Sequence, residues 1–286
     1  MKIKYGTLQK QIDVTNICLN NLNRENIIMI PSGEHIRTLY FNDPIFGQLK
    51  SIFIELDNEN LIIDHKTKIF IDINDSKVYL DNNLPERIKN IFFVNDNIVL
   101  NTQIQEIINN YYNSDIQTSK KVINDIANNS LDKKMLIFGL GYDSELWFNL
   151  LKGQAYFIED NQHYIDLNKN IPASNIIKYQ YKNINVKKSF NLSDQQIETY
   201  IIPESIINLG PFDIIYIDGP TGSTKNSPGR LIPFYWSKTF LSKSGTIIYV
   251  DDSARLLESF CIHKFFSQEN YKMISYDIPC TKIVIE

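Results

Sequence analysis

The sequence predicts an α/β fold in which a small β-rich domain over residues 1–100 precedes a larger α/β domain over residues 101–286. The first hundred residues contain short apolar runs that are separated by Asn, Asp, Gly and Pro. After residue 130, apolar runs of strand length alternate with stretches of helical spacing. Such alternation predicts a mostly parallel sheet that helices cover on both faces.

The β-rich part has apolar runs such as TLYFNDPIFG and NIFFV at intervals of about 8–12 residues. That spacing predicts strands of an antiparallel sandwich or barrel. Its histidines, His35 and His65, are isolated, and no catalytic constellation stands out. We therefore expect residues 1–100 to serve binding or the formation of a homo-oligomer.

The second part begins with helical spacing over residues 102–130, which predicts a connecting helix and the first helix of the domain. Seven strands are then predicted, over residues 135–141, 154–160, 175–182, 212–219, 245–252, 271–278 and 281–286. Helices are predicted between them, over residues 144–152, 161–170, 229–241 and 254–268. Only Pro279 and Cys280 separate the last two strands, which indicates a terminal antiparallel hairpin. Seven strands with such a hairpin are the Rossmann-like layout of class I methyltransferases.

The turn after the first of these strands predicts a site for a nucleoside-type cofactor. Phe138 ends the apolar run, and Gly139 and Gly141 allow the backbone to approach a ligand closely. Asp143 and Ser144 follow where a helix begins and offers free N–H groups. About 20 residues after Gly139, the second strand ends on Glu159 and Asp160, where a carboxylate can bind the ribose hydroxyls.

Two further predicted strands end in acids, Asp218 and the pair Asp251-Asp252. Ligands of open α/β sheets bind beyond the carboxyl ends of the strands, so these acids should converge near the glycine turn. Acids at strand ends also cap helices, which is the structural alternative. Together Asp218, Asp251 and Asp252 offer the oxygen ligands that Mg²⁺ or Mn²⁺ prefers. The open alternative is a metal-free Asp218 that acts as general base.

The segment GPTGSTKNSPGR, residues 219–230, predicts an irregular loop at the same edge of the sheet. Arg230 could contact a substrate carboxylate or phosphate with two hydrogen bonds, or form a salt bridge to one of the aspartates. The net charge of −4 gives no electrostatic footprint for a nucleic-acid partner. The sequence contains no apolar run of about 18 residues, so it predicts no membrane-spanning segment. Three widely spaced cysteines and the absence of a secretion signal lead us to expect a cytoplasmic protein.

Five sequence blocks occur in an order and at a spacing that resemble a known family, and they cover about residues 136–275. The blocks are FGLGYDSELW, FIEDNQHYI, FDIIYIDGP, SPGR and IIYVDD. They look like the glucuronoxylan 4-O-methyltransferase-like family (domain of unknown function 579, polysaccharide biosynthesis). The first block typically reads FGLGHDS in that family, so Tyr142 replaces a histidine. The family does not cover residues 1–100.

The resemblance implies S-adenosylmethionine as methyl donor and a sugar hydroxyl of a sugar nucleotide or polysaccharide as acceptor. Carried over by position, the motif residues that cradle the methionine portion are Gly139, Gly141, Asp143 and Ser144. Glu159 would bind the ribose, and Asp218 would stand beside the reactive methyl. Asp251 and Asp252 would complete a site for a divalent metal such as Mg²⁺, Mn²⁺ or Co²⁺. Two other functions stay open, an aminopropyltransferase of polyamine type and a non-catalytic glycan-binding or scaffold protein.

Overall fold

The chain forms two compact units, Met1–Phe92 and Phe93–Glu286. This computed structural model describes residues 1–56, 59–81, 83–94, 100–274 and 279–286. The functions assigned from the sequence to residues 1–100 and 101–286 stay predictions. None of the helices in the described ranges is long and apolar enough to cross a bilayer.

The first unit contains two four-stranded antiparallel sheets that share one apolar core. The first sheet has the order β2-β1-β5-β6, and the second has the order β3-β4-β7-β8. The strands are β1 Lys2–Gly6, β2 Gln11–Asp13, β3 Asn23–Arg24, β4 Ile27–Ile30, β5 Ser51–Glu55, β6 Asn60–Ile63, β7 Ile69–Asp72 and β8 Lys77–Leu80. Three helices accompany them, α1 Thr15–Asn21, α2 Glu34–Phe41 and α3 Glu86–Phe92.

Some runs that the sequence predicts as strands overlap helices in this unit. The run TLYFNDPIFG begins inside α2, in which Ile36 and Phe41 are buried. The run NIFFV overlaps α3, which buries Ile88, Ile91 and Phe92. The spacings of three and four residues among Ile88, Ile91 and Phe92 bury one face of a helix, so these side chains reach the core without a strand. Both runs are short, and a short apolar run does not distinguish a strand from a buried helix.

The second unit begins with two amphipathic helices, α4 Thr102–Tyr111 and α5 Lys120–Ser130. Asn101 caps α4, since its side chain accepts a hydrogen bond from the Ile104 N–H at 2.8 Å. Ser119 caps α5 in the same way through the Val122 N–H. Both caps satisfy N–H groups that have no partner inside the first helical turn.

A seven-stranded mixed sheet forms the centre of this unit, with the order β11-β10-β9-β12-β13-β15-β14. Its strands are β9 Met135–Phe138, β10 Ala155–Glu159, β11 Ile176–Lys178, β12 Ile214–Ile217, β13 Ile247–Val250, β14 Asn270–Met273 and β15 Thr281–Val284. The first five in spatial order pair in parallel, and β15 is antiparallel to both of its neighbours. Of the predicted strand over 271–278, residues 275–278 lie outside the described part of the chain.

Helices connect these strands. They are α6 Ser144–Leu150, α7 Gln162–Leu167, α8 Val186–Ser189, α9 Asp194–Ile197, α10 Glu204–Ile207, α11 Leu231–Trp236 and α12 Leu256–Phe266. A 3₁₀ turn, Ala173–Asn175, precedes β11, and a π-helical turn, Ser237–Leu241, continues α11. Every residue of β9 and β12 is buried, as expected for central strands with both faces covered. The carboxyl ends of β9, β10, β12 and β13 therefore meet at one edge of the sheet.

Candidate functional site

The glycine turn after β9 has a backbone conformation and a close backbone neighbour that favour glycine. Gly139 has a φ of 112°, in the region that favours glycine. A side chain there would have its Cβ 3.1 Å from the backbone nitrogen of Gly219, in the loop that follows β12. The next turn residues are tied back to the chain, because the Gly141 N–H donates to the Ser144 hydroxyl at 2.8 Å. The turn thus has one defined backbone conformation beside the end of β12.

Glu159, at the end of β10, is buried and joins that turn to its own strand end. One carboxylate oxygen accepts the Leu140 N–H at 2.7 Å. The other accepts the N–H groups of Asp160 at 2.9 Å and Asn161 at 2.6 Å. Burial raises the pKa of this carboxyl to about 7, although the backbone bonds act in the opposite direction. Glu159 is therefore both a site carboxylate and a structural link between two loops.

Asp143 lies at the start of α6 and is also buried. Its Oδ2 accepts two hydrogen bonds, from the Thr118 hydroxyl at 2.9 Å and from the Trp147 indole N–H at 3.0 Å. Burial, and then the charge of Asp218, raises the pKa of the Asp143 carboxyl to about 6. Thr118 is a residue that the sequence analysis missed, and no motif marks it. It comes from the segment before α5, 25 residues away along the chain.

Asp218, Asp251 and Asp252 come together where β12 and β13 end. One oxygen from each carboxylate can be chosen so that all three lie within 4.8 Å of one another. Burial, and then the charge of Asp218, raises the pKa of Asp251 to about 8. Three partly buried carboxylates at this distance repel one another unless a cation lies among them. The donor set, made of oxygens alone, fits a hard divalent cation.

Arg230 supplies a cation at this cluster. Its side chain is 3% exposed, and its Nη2 lies 3.3 Å from Asp218 and 3.1 Å from Asp252. The Nη1 donates to the backbone carbonyl of Asp251 at 2.6 Å. Burial lowers the pKa of Arg230, but the surrounding carboxylates raise it further, so the guanidinium stays charged. This salt bridge is one of the two arrangements that the sequence left open for Arg230.

Glu258, on α12, is a second residue that the sequence analysis missed. It is fully buried, and its Oε1 lies 3.8 Å from the Arg230 Nε. Burial raises its pKa, and Arg230 opposes that rise. A single acid in the apolar helix LLESFCIHKFF was the sequence signal that could have identified it, since a buried carboxylate needs a cationic partner.

Some predicted site residues take part through the backbone. Phe138 is fully buried, and its carbonyl accepts the N–H groups of Asp218 and Gly219 at the end of β12. Asp160 donates its N–H to Glu159 and accepts the Gln180 side-chain amide through its carbonyl. Ser144 is buried and uses its hydroxyl to hold the turn. Contact of these residues with a cofactor stays a prediction.

Comparison with known proteins gives distant relatives. No protein-family model matches the chain. It is 25% identical over 203 residues to Glucuronoxylan 4-O-methyltransferase 1 of Arabidopsis thaliana, which covers 59% of this chain and 71% of that protein. It is 25% identical over 162 residues to Protein IRREGULAR XYLEM 15 of the same plant, covering 48% of this chain and 50% of that protein. The chain spans about half the length of this second relative.

Among solved structures, an O-methyltransferase from Bacillus cereus in complex with SAH aligns with 70% of this chain and 96% of its own length. The TM-score is 0.34 and the sequence identity is 13%. The sequence relatives are the proteins that the motif blocks indicated, so the resemblance to the glucuronoxylan 4-O-methyltransferase-like family is confirmed.

Proposed function

We propose that this protein is an S-adenosylmethionine-dependent O-methyltransferase that methylates a sugar hydroxyl of a glycan, a sugar nucleotide or a polysaccharide. The observation that carries the proposal is the convergence of Glu159, Asp143 and Asp218 on one edge of the sheet, around the Gly139 turn. The strand order supports it, because six parallel strands with the antiparallel last strand inserted between the fifth and the sixth are the class I methyltransferase layout. The names of the sequence relatives support the polysaccharide acceptor.

The hydrogen-bond capacity of Glu159 supports a role in binding the ribose. A carboxylate oxygen can accept two hydrogen bonds, and within the described part of the chain Oε2 of Glu159 accepts one, from the Leu140 N–H. One acceptor position therefore stays available for a ribose hydroxyl. Since the Leu140 bond also fixes the turn, ribose and methionine portion would be positioned by the same carboxylate.

The charge of the site suits the methyl donor. Asp143 and Glu159 are buried carboxyl groups with raised pKa values, so each would gain from a nearby positive charge. S-adenosylmethionine carries two such charges, a sulfonium and an ammonium. A sulfonium is already reactive, so the main task of the protein is to place the acceptor oxygen in line with the methyl–sulfur bond.

We propose further that methyl transfer is metal-assisted. Asp218, Asp251 and Asp252 would hold a divalent cation such as Mg²⁺, Mn²⁺ or Co²⁺. When bound, such an ion would lower the pKa of the acceptor hydroxyl and orient it. The metal-free alternative is a general base in the same cluster, either Asp218, as the sequence predicts, or Asp251, whose pKa of about 8 lies near neutral pH. Arg230 would serve either route by fixing Asp218 and Asp252.

The test is methyl transfer from labelled S-adenosylmethionine to a panel of sugar nucleotides and glycans. We expect label in at least one sugar hydroxyl, and loss of transfer in Asp218→Asn. Calorimetry on the same samples should detect binding of S-adenosylmethionine or S-adenosylhomocysteine. Binding of NAD with no heat from either S-adenosylmethionine or S-adenosylhomocysteine would overturn the proposal.

A further inference from the structure

The pair Arg230 and Glu258 is buried but incompletely bonded. The Arg230 Nε and both carboxylate oxygens of Glu258 have no hydrogen-bond partner among the described residues. The distance of 3.8 Å between Nε and Oε1 is roughly 1 Å longer than an ordinary hydrogen bond. Buried polar groups without partners are costly, and the cost is larger for charged groups. A shorter distance between Nε and Oε1 would remove part of this cost.

The position of Arg230 explains why that arrangement is not adopted. Its Nη2 is drawn toward Asp218 and Asp252, on the side of the guanidinium that faces the aspartate cluster. Glu258 receives the Nε side of the same group. One cation is thus shared between the aspartates on one side and a buried glutamate on the other. The attraction of the aspartates for the guanidinium therefore opposes its approach to Glu258.

The loop after β12 shields Glu258. A Cβ on Gly222 would lie 2.9 Å from the Glu258 Oε1, so the loop backbone covers the carboxylate closely. The side chain of Glu258 is 0% exposed. A carboxylate in such a place has no solvent to compensate its charge, so its interaction with Arg230 depends steeply on the distance between the two groups.

We propose that Glu258 is a positioning residue that receives the Arg230 guanidinium when a divalent cation occupies Asp218, Asp251 and Asp252. Binding of the cation weakens the hold of the aspartates on Nη2. The guanidinium then closes onto Glu258, and Nε and Oε1 gain the hydrogen bond that they lack. Glu258 thereby raises the affinity of the aspartates for the cation, because Arg230 keeps a counter-charge. The proposal rests on the metal-binding part of the proposed function.

The experiment is a Mn²⁺ titration of the full chain without substrate. The spectrum of free Mn²⁺ measures how much of the ion remains unbound at each step. Glu258→Gln keeps the side-chain volume and removes the charge, and we expect Mn²⁺ to bind about tenfold or more weakly in it. Glu204→Gln is the matched control, because it removes one exposed carboxylate from α10. S-adenosylmethionine binding and thermal unfolding, measured on the same samples, report whether each variant is folded.

A double-mutant cycle separates positioning from simple charge. If Glu258 acts through Arg230, the loss caused by Glu258→Gln should disappear in the Arg230→Gln background. An equal loss in both backgrounds would overturn the proposal, as would unchanged Mn²⁺ affinity in Glu258→Gln. If Arg230→Gln does not fold, a crystal structure of the wild-type protein with Mn²⁺ decides. Shortening of the Nε–Oε1 distance to about 3 Å supports the proposal, and an unchanged distance contradicts it.

The same titration separates this proposal from the proposed function. If the wild-type protein binds Mn²⁺ and Glu258→Gln binds it equally well, the metal-assisted reaction stays supported and the role of Glu258 is excluded. Wild-type protein that binds S-adenosylmethionine but no Mn²⁺ removes the metal and this proposal together, and it leaves the methyl-donor site standing.

Discussion

Gly139 and Gly219 bring the ends of β9 and β12 into direct backbone contact. A Cβ on Gly219 would lie 2.8 Å from the Gly139 Cα and 3.0 Å from its nitrogen. The contact matters because Asp143 and Asp218 lie beside these two glycines, and burial, followed by the charge of Asp218, raises the pKa of the Asp143 carboxyl. These two glycines therefore bring the glycine turn close to the end of β12, where the acidic cluster begins.

Gly219→Ala should therefore disturb both the fold and the site. The nearest atoms are backbone atoms, which cannot rotate away, so we expect a loss of about 1–3 kcal/mol in the free energy of unfolding. We also expect weaker binding of S-adenosylmethionine. Urea denaturation and calorimetry measure the two effects. Gly210→Ala is the control, since the nearest atom to its Cβ would be at an ordinary 3.4 Å. Equal losses in the two variants would contradict the role of the contact.

Thr118→Val should destabilise the protein through Asp143. The substitution keeps the shape and removes the hydroxyl that donates to the buried carboxylate. A hydrogen bond to a charged group contributes about 1.5–3 kcal/mol, and we expect that loss at pH 8. The loss should be smaller at pH 5, where the pKa of about 6 leaves Asp143 largely protonated. Thr118→Ser should retain most of the stability, and urea denaturation at the two pH values tests this.

Glu159→Ala should weaken the binding of S-adenosylmethionine by about 1.5–3 kcal/mol for each charge-assisted hydrogen bond that it removes. It should also lower the melting temperature, because three backbone N–H groups lose their acceptor. Calorimetry gives the affinity. Asp160→Asn removes the neighbouring charge and keeps those backbone bonds, so it should bind the cofactor more tightly than Glu159→Ala. Identical affinities in the two variants would exclude a specific role for Glu159.

The stability of the unliganded protein should fall as pH rises from about 4 to about 8. The pKa values of Asp143, Glu159 and Asp251 are all raised by burial, to about 6, 7 and 8. Between the unfolded and folded pKa values the native state binds more protons than the unfolded state, so the free energy of unfolding decreases with pH. Urea denaturation across this range measures the slope.

Asp251→Asn is the variant that tests this sign. It removes the group with the largest shift, so its stability should change less steeply up to pH 8 than that of the wild-type protein. Asp213 provides a contrast, since its bonds to Lys243 and the Lys134 N–H outweigh burial and lower its pKa. Asp213→Asn should destabilise the protein at neutral pH and leave the slope above pH 5 unchanged. A free energy of unfolding that rises with pH in the wild-type protein would contradict the raised pKa values of these carboxyl groups.

Removal of divalent metal should stop methyl transfer and leave cofactor binding in place. The aspartates proposed as ligands lie after β12 and β13, whereas the glycine turn follows β9 and Glu159 is the last residue of β10. Excess chelator followed by calorimetry with S-adenosylmethionine separates the two sites, and added Mn²⁺ should restore transfer. Transfer that persists in excess chelator would favour a general base, Asp218 or Asp251, over a metal.

Much of the second unit could be predicted from the sequence because its signals are local. The strands β9, β12 and β13 are continuous apolar runs, and helices follow the polar residues that end them. Strand ends in a parallel sheet share an edge, so the acids could be placed near one another without coordinates. The first unit was harder, since α2 and α3 are short apolar segments whose period is ambiguous.

By itself, the sequence determined that glycines and acids end the central strands, because a run of residue types and a spacing are enough to state it. Only the tertiary structure decided what each acid contacts. Glu258, on α12, forms an ion pair with Arg230 at the end of the loop after β12. Thr118, in a segment that no motif marks, donates a hydrogen bond to Asp143. Contacts between distant segments depend on packing, and the burial that packing produces raises the pKa of Asp143, Glu159 and Asp251. The sequence therefore determines which residue types are present at the site, and the tertiary structure determines which residues contact each other there.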